Sequence, residues 1–145
     1  MSCILLAIDG SANSHRATDV AAQLSISTGL PIWVVNVTDH AGLSVTELAE
    51  FSVAEHLTAR EAIESVSAQI LGDVKAALET AGARAVHIEE RRGDIASTIL
   101  EVAAEKAAAM IVVGKRGKGR LEGLLVGSVA QKLVCLAPQT VVVVP

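Results

Sequence analysis

Five short apolar runs, separated by stretches long enough for a helix, limit the architectures open to this chain. The runs are Cys3–Ile8, Ile32–Val37, Ala85–Glu89, Met110–Val113 and Thr140–Val144. The first two are bounded by turn residues, with Asp9-Gly10-Ser11 closing one and Gly29-Leu30-Pro31 opening the next. Such runs read as strands buried on both faces. Strands joined through helices must pair in parallel, because a parallel neighbour is reached only by a crossover, and crossovers are right-handed. The expectation is one α/β domain over residues 1–145: an open sandwich in which a five-stranded parallel sheet is flanked by helices on both faces.

The intervening segments carry helical periodicity. Val20, Ala21, Leu24 and Ser27-Thr28 follow polar Ser11, Asn13 and Ser14, any of which can cap a helix start. Thr38 to about Ser44 reads as a loop. Beyond it, Leu48, Val53, Leu57, Ile63, Val66, Ile70, Val74 and Leu78 recur at three- and four-residue steps up to Gly82, which fits one helix or two. Gly93-Asp94 opens a helix through Lys106 with Ile95, Ile99, Val102 and Ala103 on one face, and Ser128–Leu136 predicts another.

Composition excludes several classes of function. With 51% hydrophobic and 19% charged residues the chain can bury a core and is not intrinsically disordered. Trp33 and Phe51 are the whole aromatic inventory, too few to stack the bases of a single strand. A net charge of −4 argues against a general nucleic-acid or anionic-membrane surface. The uncharged stretch Val20–Thr38 is broken by Gln23, Gly29, Pro31 and Asn36, so no spanning helix is predicted. No positively charged leader is visible before Ile4. Cys3 and Cys135 lack metal-ligand spacing, and both read as buried free thiols. A cytoplasmic location fits these features.

The segment Gly114–Ser128 stands apart. Glycine recurs at 114, 117, 119, 123 and 127, and Lys115, Arg116, Lys118 and Arg120 fall within six positions of an acidic chain. It leaves the carboxyl end of a strand and enters a helix, whose first turn offers backbone N–H groups and a positive dipole end to phosphate. Glycines there remove Cβ atoms from the phosphate's path and allow positive φ where N–H groups converge. The cluster also reads as a plain solvated loop, and Ser128 with Gln131 as a capping box. A P-loop is excluded, since Arg120-Leu121 stands where Lys and Ser/Thr are required, and a Rossmann fingerprint fails at Glu122.

The spacing Gly114, two residues, Gly117, nine residues, Gly127, Ser128 resembles the loop of the universal stress protein family, in its ATP-binding branch. The likeness extends over the chain, from Ile4-Leu-Leu-Ala-Ile-Asp-Gly-Ser11 through Val34-Val-Asn-Val-Thr-Asp39 to Val141–Val144. Two positions depart from the family pattern, Lys115 where Ser or Thr is frequent and Gln139-Thr140 where many members have Cys-Pro. The resemblance implies strand order 3-2-1-4-5, with ligands beyond the carboxyl ends at the switch point between the first and fourth strands. It implies an adenine nucleotide (ATP, or AMP or ADP) held by Ala7, Ile8, Asp9, Val37, Val113, Gly114, Arg116, Gly117, Gly127, Ser128 and Val129. Within that set the main chain of Val37 reads the base, Asp9 lies near ribose and phosphates, and Asp9 is the candidate Mg²⁺ ligand. Asp9 also reads as a simple turn cap.

No catalytic constellation accompanies the loop, for His15, His40, His56 and His87 are scattered and no carboxylate pair lies near. Hydrolysis is therefore expected to be slow or absent. The readings that stay open are a nucleotide-dependent stress or regulatory protein, a slow ATPase at the same site, and a nucleotide-free structural dimer. The implied order leaves Val141–Val144 on a sheet edge without charge, which predicts a homodimer through that strand.

Overall fold

The computed structural model describes residues 2–39, 53–115 and 126–145. The sheet has five parallel strands, β1 (Cys3–Ile8), β2 (Ile32–Thr38), β3 (Val86–Arg92), β4 (Ala108–Gly114) and β5 (Thr140–Val144), in the order β3-β2-β1-β4-β5. Four helices are described: α1 (Ala12–Thr28), α2 (Val53–Thr80), α3 (Ile95–Glu105) and α4 (Ser128–Leu136). None of the described helices is long and apolar enough to cross a membrane.

Strand β1 is central, and all six of its residues are buried. Its side chains alternate between two cores, as the pleat requires. Ile4, Leu6 and Ile8 face α1 and α2 and pack with Ala17, Ala21, Leu71, Val74 and Leu78. Leu5 and Ala7 face α3 and α4 with Val35, Ile99, Val102 and Leu133. Each buried Val, Leu or Ile side chain among these contributes about 1.5–3 kcal/mol relative to exposure. Helices cover both faces, as the parallel pairing demands.

The periodicity of α1 points to Val20 and Leu24, yet these are only partly buried, and the helix seats its small side on the sheet through Ala17, Ala21, Ala22 and Ser25. Small residues let the helix approach, and the buried hydroxyls of this helix are hydrogen-bonded. Thr18 Oγ1 donates to Ser14 O at 2.8 Å, while Ser25 Oγ donates to Leu30 O at 2.7 Å and accepts from Arg84 N at 3.1 Å.

Over the described residues α2 is one helix, not two, and Gly82 with φ of 92° ends the turn after it. Strand β3 runs three residues past Glu89 into charged sequence. An edge strand admits those charges because they are paired: Arg91 Nε lies 2.9 Å from Glu89, Arg91 Nη2 lies 2.5 Å from Glu105, and Arg92 meets Glu64. These bonds hold the Glu105 carboxyl below the usual carboxylate range and push the Arg91 guanidinium up. Cys3 is buried as expected, and burial raises its thiol above the ordinary value. Cys135 is exposed instead, because α4 turns Ala130 and Leu133 inward and leaves its last turn facing solvent.

Candidate functional site

The strand order reverses at β1, which has β2 on one side and β4 on the other, and the crossovers leaving β1 and β4 depart to opposite faces. Beyond the carboxyl ends of these strands lies a cleft of about 540 Å³. Ala7 and Ile8 line it from β1 and Asp9 from the turn after it, Val37 from β2, Val113 and Gly114 from β4, and Gly127, Ser128 and Val129 from the start of α4. These nine of the site residues expected from the sequence come together. Arg116 and Gly117 lie outside the described residues, as do Lys118 and Arg120.

The two stems of the glycine-rich segment are joined across its base. Lys115 donates its N–H to Val144 O at 2.6 Å, and its carbonyl accepts from Gly127 N at 2.7 Å. One residue thus ties the segment's exit from β4 to the end of β5 and to the N-cap of the returning helix. Gly127, not Ser128, is the N-cap of α4, with φ −66° and ψ 160°, and as a glycine it brings no side-chain cap to that helix start. The expected Ser128–Gln131 capping box is absent. Ser128 is already the first helical residue, and Gln131 spends its N–H on the main-chain carbonyl of Gly127 at 3.0 Å.

Gly114 and Gly127 also differ from expectation in backbone, for neither has positive φ. Gly114 is explained by crowding: a Cβ there would stand 2.9 Å from Asn13 Cβ and 3.2 Å from the Asn13 main-chain carbon. The end of β4 therefore rests directly on the first turn of α1. In that turn Gly10 takes φ of 82°, a conformation open to glycine and costly for other residues.

Asp9 is built into the same turn. Its Oδ1 accepts from Ser11 N at 2.9 Å and from the Ser14 hydroxyl at 2.7 Å, while the Ser14 hydroxyl accepts from Asp9 N at 3.0 Å. Ser11 then caps α1 by accepting from Ser14 N at 3.3 Å. The turn-cap reading of Asp9 is thus realised, on the rim of the cleft. As a hard carboxylate beside the glycine segment, Asp9 has the chemistry of a Mg²⁺ ligand when phosphate oxygens and water complete the shell. Among the described residues no group of three or more His, Cys, Asp and Glu could hold a metal without such a partner.

Further residues line the cleft without having been singled out. Ile63, Val66, Ser67 and Ile70 form a stripe on α2, and Ile95 and Ile99 close the far side from α3. Helical spacing marks Ile63, Val66 and Ile70 as apolar but not as cleft-facing; the buried core side of α2 is carried by Leu71, Val74 and Leu78. Asn36 and Ser67 are polar and buried, at 5% and 2% exposure. Asn36 Nδ2 donates to Ile8 O at 2.8 Å, and Ser67 Oγ donates to Asn36 Oδ1 at 2.6 Å. The available signal was a lone polar residue inside the apolar run Val34-Val35-Asn36-Val37.

A doubly wound sheet with its cleft at the switch point defines a class of α/β proteins that take ligands at strand ends. Within that class the chain belongs to the universal stress protein family, whose model matches residues 1–145. It is 31% identical over 144 residues to the universal stress protein YxiE of Bacillus subtilis, covering 97% of both chains. It is 35% identical to a universal stress protein of Mycolicibacterium smegmatis over 147 residues, spanning 97% of this chain but 47% of that one. The solved universal stress protein UspA from Lactobacillus plantarum superposes with a TM-score of 0.82 at 20% identity, over 99% of this chain and 97% of the other. Other solved structures of this fold carry cAMP, dAMP or AMP.

Proposed function

We propose that this chain is an adenine-nucleotide-binding universal stress protein in which bound ATP biases conformation or partner binding. The observation that carries the reading is the meeting of β1, β2, β4 and the glycine-capped start of α4 around one cleft, at residues the family resemblance assigns to the nucleotide. The nucleotides bound by structural neighbours support the same class of ligand. In this reading the base lies against the main chain of Val37, and ribose and phosphates follow Gly114, Gly127, Ser128 and Val129. Arg116 and Gly117 belong to the same phosphate track. Asp9 would be the carboxylate ligand of a Mg²⁺ carried by the phosphates, and hydrolysis is expected to be slow, since the described carboxylates of the cleft are Asp9, bonded into its own turn, and Asp39.

Calorimetric titration with ATP and with GTP, each with and without Mg²⁺, tests the reading. ATP binds and GTP is weaker, since guanine reverses adenine's donor–acceptor edge and leaves buried groups unpaired at a cost of about 1–3 kcal/mol. Absence of ATP binding would sink it.

The assembly we propose is a homodimer through β5, which pairs with β4 on one side and carries Val141–Val144 without charge. Val141, Val142 and Val143 are only partly buried. Sedimentation velocity of the parent yields a mass near twice 14.9 kDa, and Val142→Lys shifts it toward monomer; a monomeric parent at micromolar concentration overturns the edge argument.

A further inference from the structure

We propose that Asn36 and Ser67 are positioning residues that set the purine preference of the cleft by locking a side-chain amide that would otherwise pair with either base. The inference rests on the reading that the base lies at Val37, the residue next to Asn36.

The bonding directions are forced. Ile8 O is a carbonyl and only accepts, so the NH₂ end of Asn36 faces it, at 2.8 Å. The carbonyl end of Asn36 then faces α2, where the Ser67 hydroxyl donates to it at 2.6 Å. Both side chains are buried and both line the cleft. Ser67 is the polar member of a stripe otherwise made of Ile63, Val66 and Ile70, so nothing else in that stripe can occupy Asn36 Oδ1. The latch joins the last residue of β1, the end of β2 and the wall supplied by α2.

An amide carries a donor and an acceptor on one swivelling group. Held by Ile8 and Ser67, it points neither at a base, and the fixed N–H and C=O pattern of the strand end is the one that discriminates. With the Ser67 bond gone only the Ile8 bond restrains it, and the amide can exchange that bond for a turn toward the cleft, where it matches adenine's edge or guanine's equally well. A polar site that rejects the wrong ligand depends on having no adaptable partner to offer it. The lock therefore acts mainly against guanine.

The test compares ATP and GTP affinities by calorimetry for the parent, Ser67→Ala, Asn36→Leu and the double variant. Alanine suits a helix interior, so Ser67→Ala keeps α2, and circular dichroism checks it. Ser67→Ala is expected to narrow the ATP-to-GTP affinity ratio by about tenfold, mainly through gained GTP affinity, the scale of one hydrogen bond's discrimination. Asn36→Leu removes the swivelling amide, so the double variant is expected to regain the discrimination that Ser67→Ala loses. An equal fall in both affinities for Ser67→Ala marks a merely structural role and overturns the proposal, as does an unchanged ratio. A parent that binds ATP and GTP equally also overturns it, and one that binds neither removes the nucleotide reading with it.

Discussion

Helices α1 and α4 both begin at the carboxyl edge of the sheet and both border the cleft, yet their first turns are completed differently. At α1 the chain supplies its own partners: Ser11 caps the helix, and Asp9 and Ser14 exchange two hydrogen bonds around the turn. At α4 the cap is glycine, which has no side chain to offer the first N–H groups. A helix start that has spent an N–H on its own cap side chain is a structural joint, whereas one capped by glycine offers its positive end and that N–H to another partner. The α1 start touches the end of β4 through Asn13 and Gly114, and Lys115, the next residue, accepts from Gly127 N at the α4 start, so the joint sits one residue from the open end.

The largest effect expected from this contrast falls on α4. Gly127→Val leaves an ordinary backbone conformation, φ −66° and ψ 160°, that any residue adopts. The fold therefore survives, while a branched side chain stands where phosphate must approach. Titration with ATP shows binding in the parent and none in the variant; equal affinities would erase the distinction between the two helix starts.

Next in size is the contact of the α1 start with the end of β4. Gly114→Ala forces a Cβ to within 2.9 Å of Asn13 Cβ and close to its main chain, and backbone yields less readily than a long side chain. Overpacking of this kind costs about 1–3 kcal/mol, to be read as a lowered urea midpoint with unchanged slope. A variant as stable as the parent shows that α1 and β4 are not pressed together.

Ser11→Ala removes the cap of α1 and is expected to cost about 1 kcal/mol of stability, with nucleotide affinity little changed. A large loss of affinity with intact stability would mean that the α1 start serves the ligand directly, which collapses the comparison.

The smallest effect sharpens the contrast with a third helix start. Asp94 caps α3 by accepting from Ser97 N at 3.0 Å, and hydrogen bonding from the Ser97 side chain and N–H holds its carboxyl below the ordinary value. A depressed carboxyl stabilises the fold above its unfolded value, and that contribution is lost as pH falls through the folded value. Thermal melts of the parent therefore decline below about pH 4 more steeply than those of Asp94→Asn, which keeps a cap without a charge to lose. Superimposable acid limbs for the two proteins would assign the decline to other groups.

Much of the frame was legible because it is local. The β-branched runs Ile32–Val37 and Val141–Val144 are buried or edge strands in any fold with this alternation, and Gly93-Asp94 and Gly82 punctuate helices through their own backbone chemistry. The strand order and the residues of the cleft came from the spacing of Gly114, Gly117, Gly127 and Ser128, a pattern that carries information only through its likeness to a family.

The sequence by itself determined strand, helix and parallel pairing, since periodicity and turn residues act over a few positions and crossovers leave one hand. Tertiary structure alone decided which groups meet. It made Gly114 a packing glycine by laying it on Asn13, made Gly127 the cap in place of Ser128, and made Asn36 a bridge between Ile8 and Ser67, 28 and 31 residues away. The physical reason is range: the partners of a buried polar group are chosen by the packing of distant segments, and no spacing along the chain encodes a contact made only when the sheet has closed.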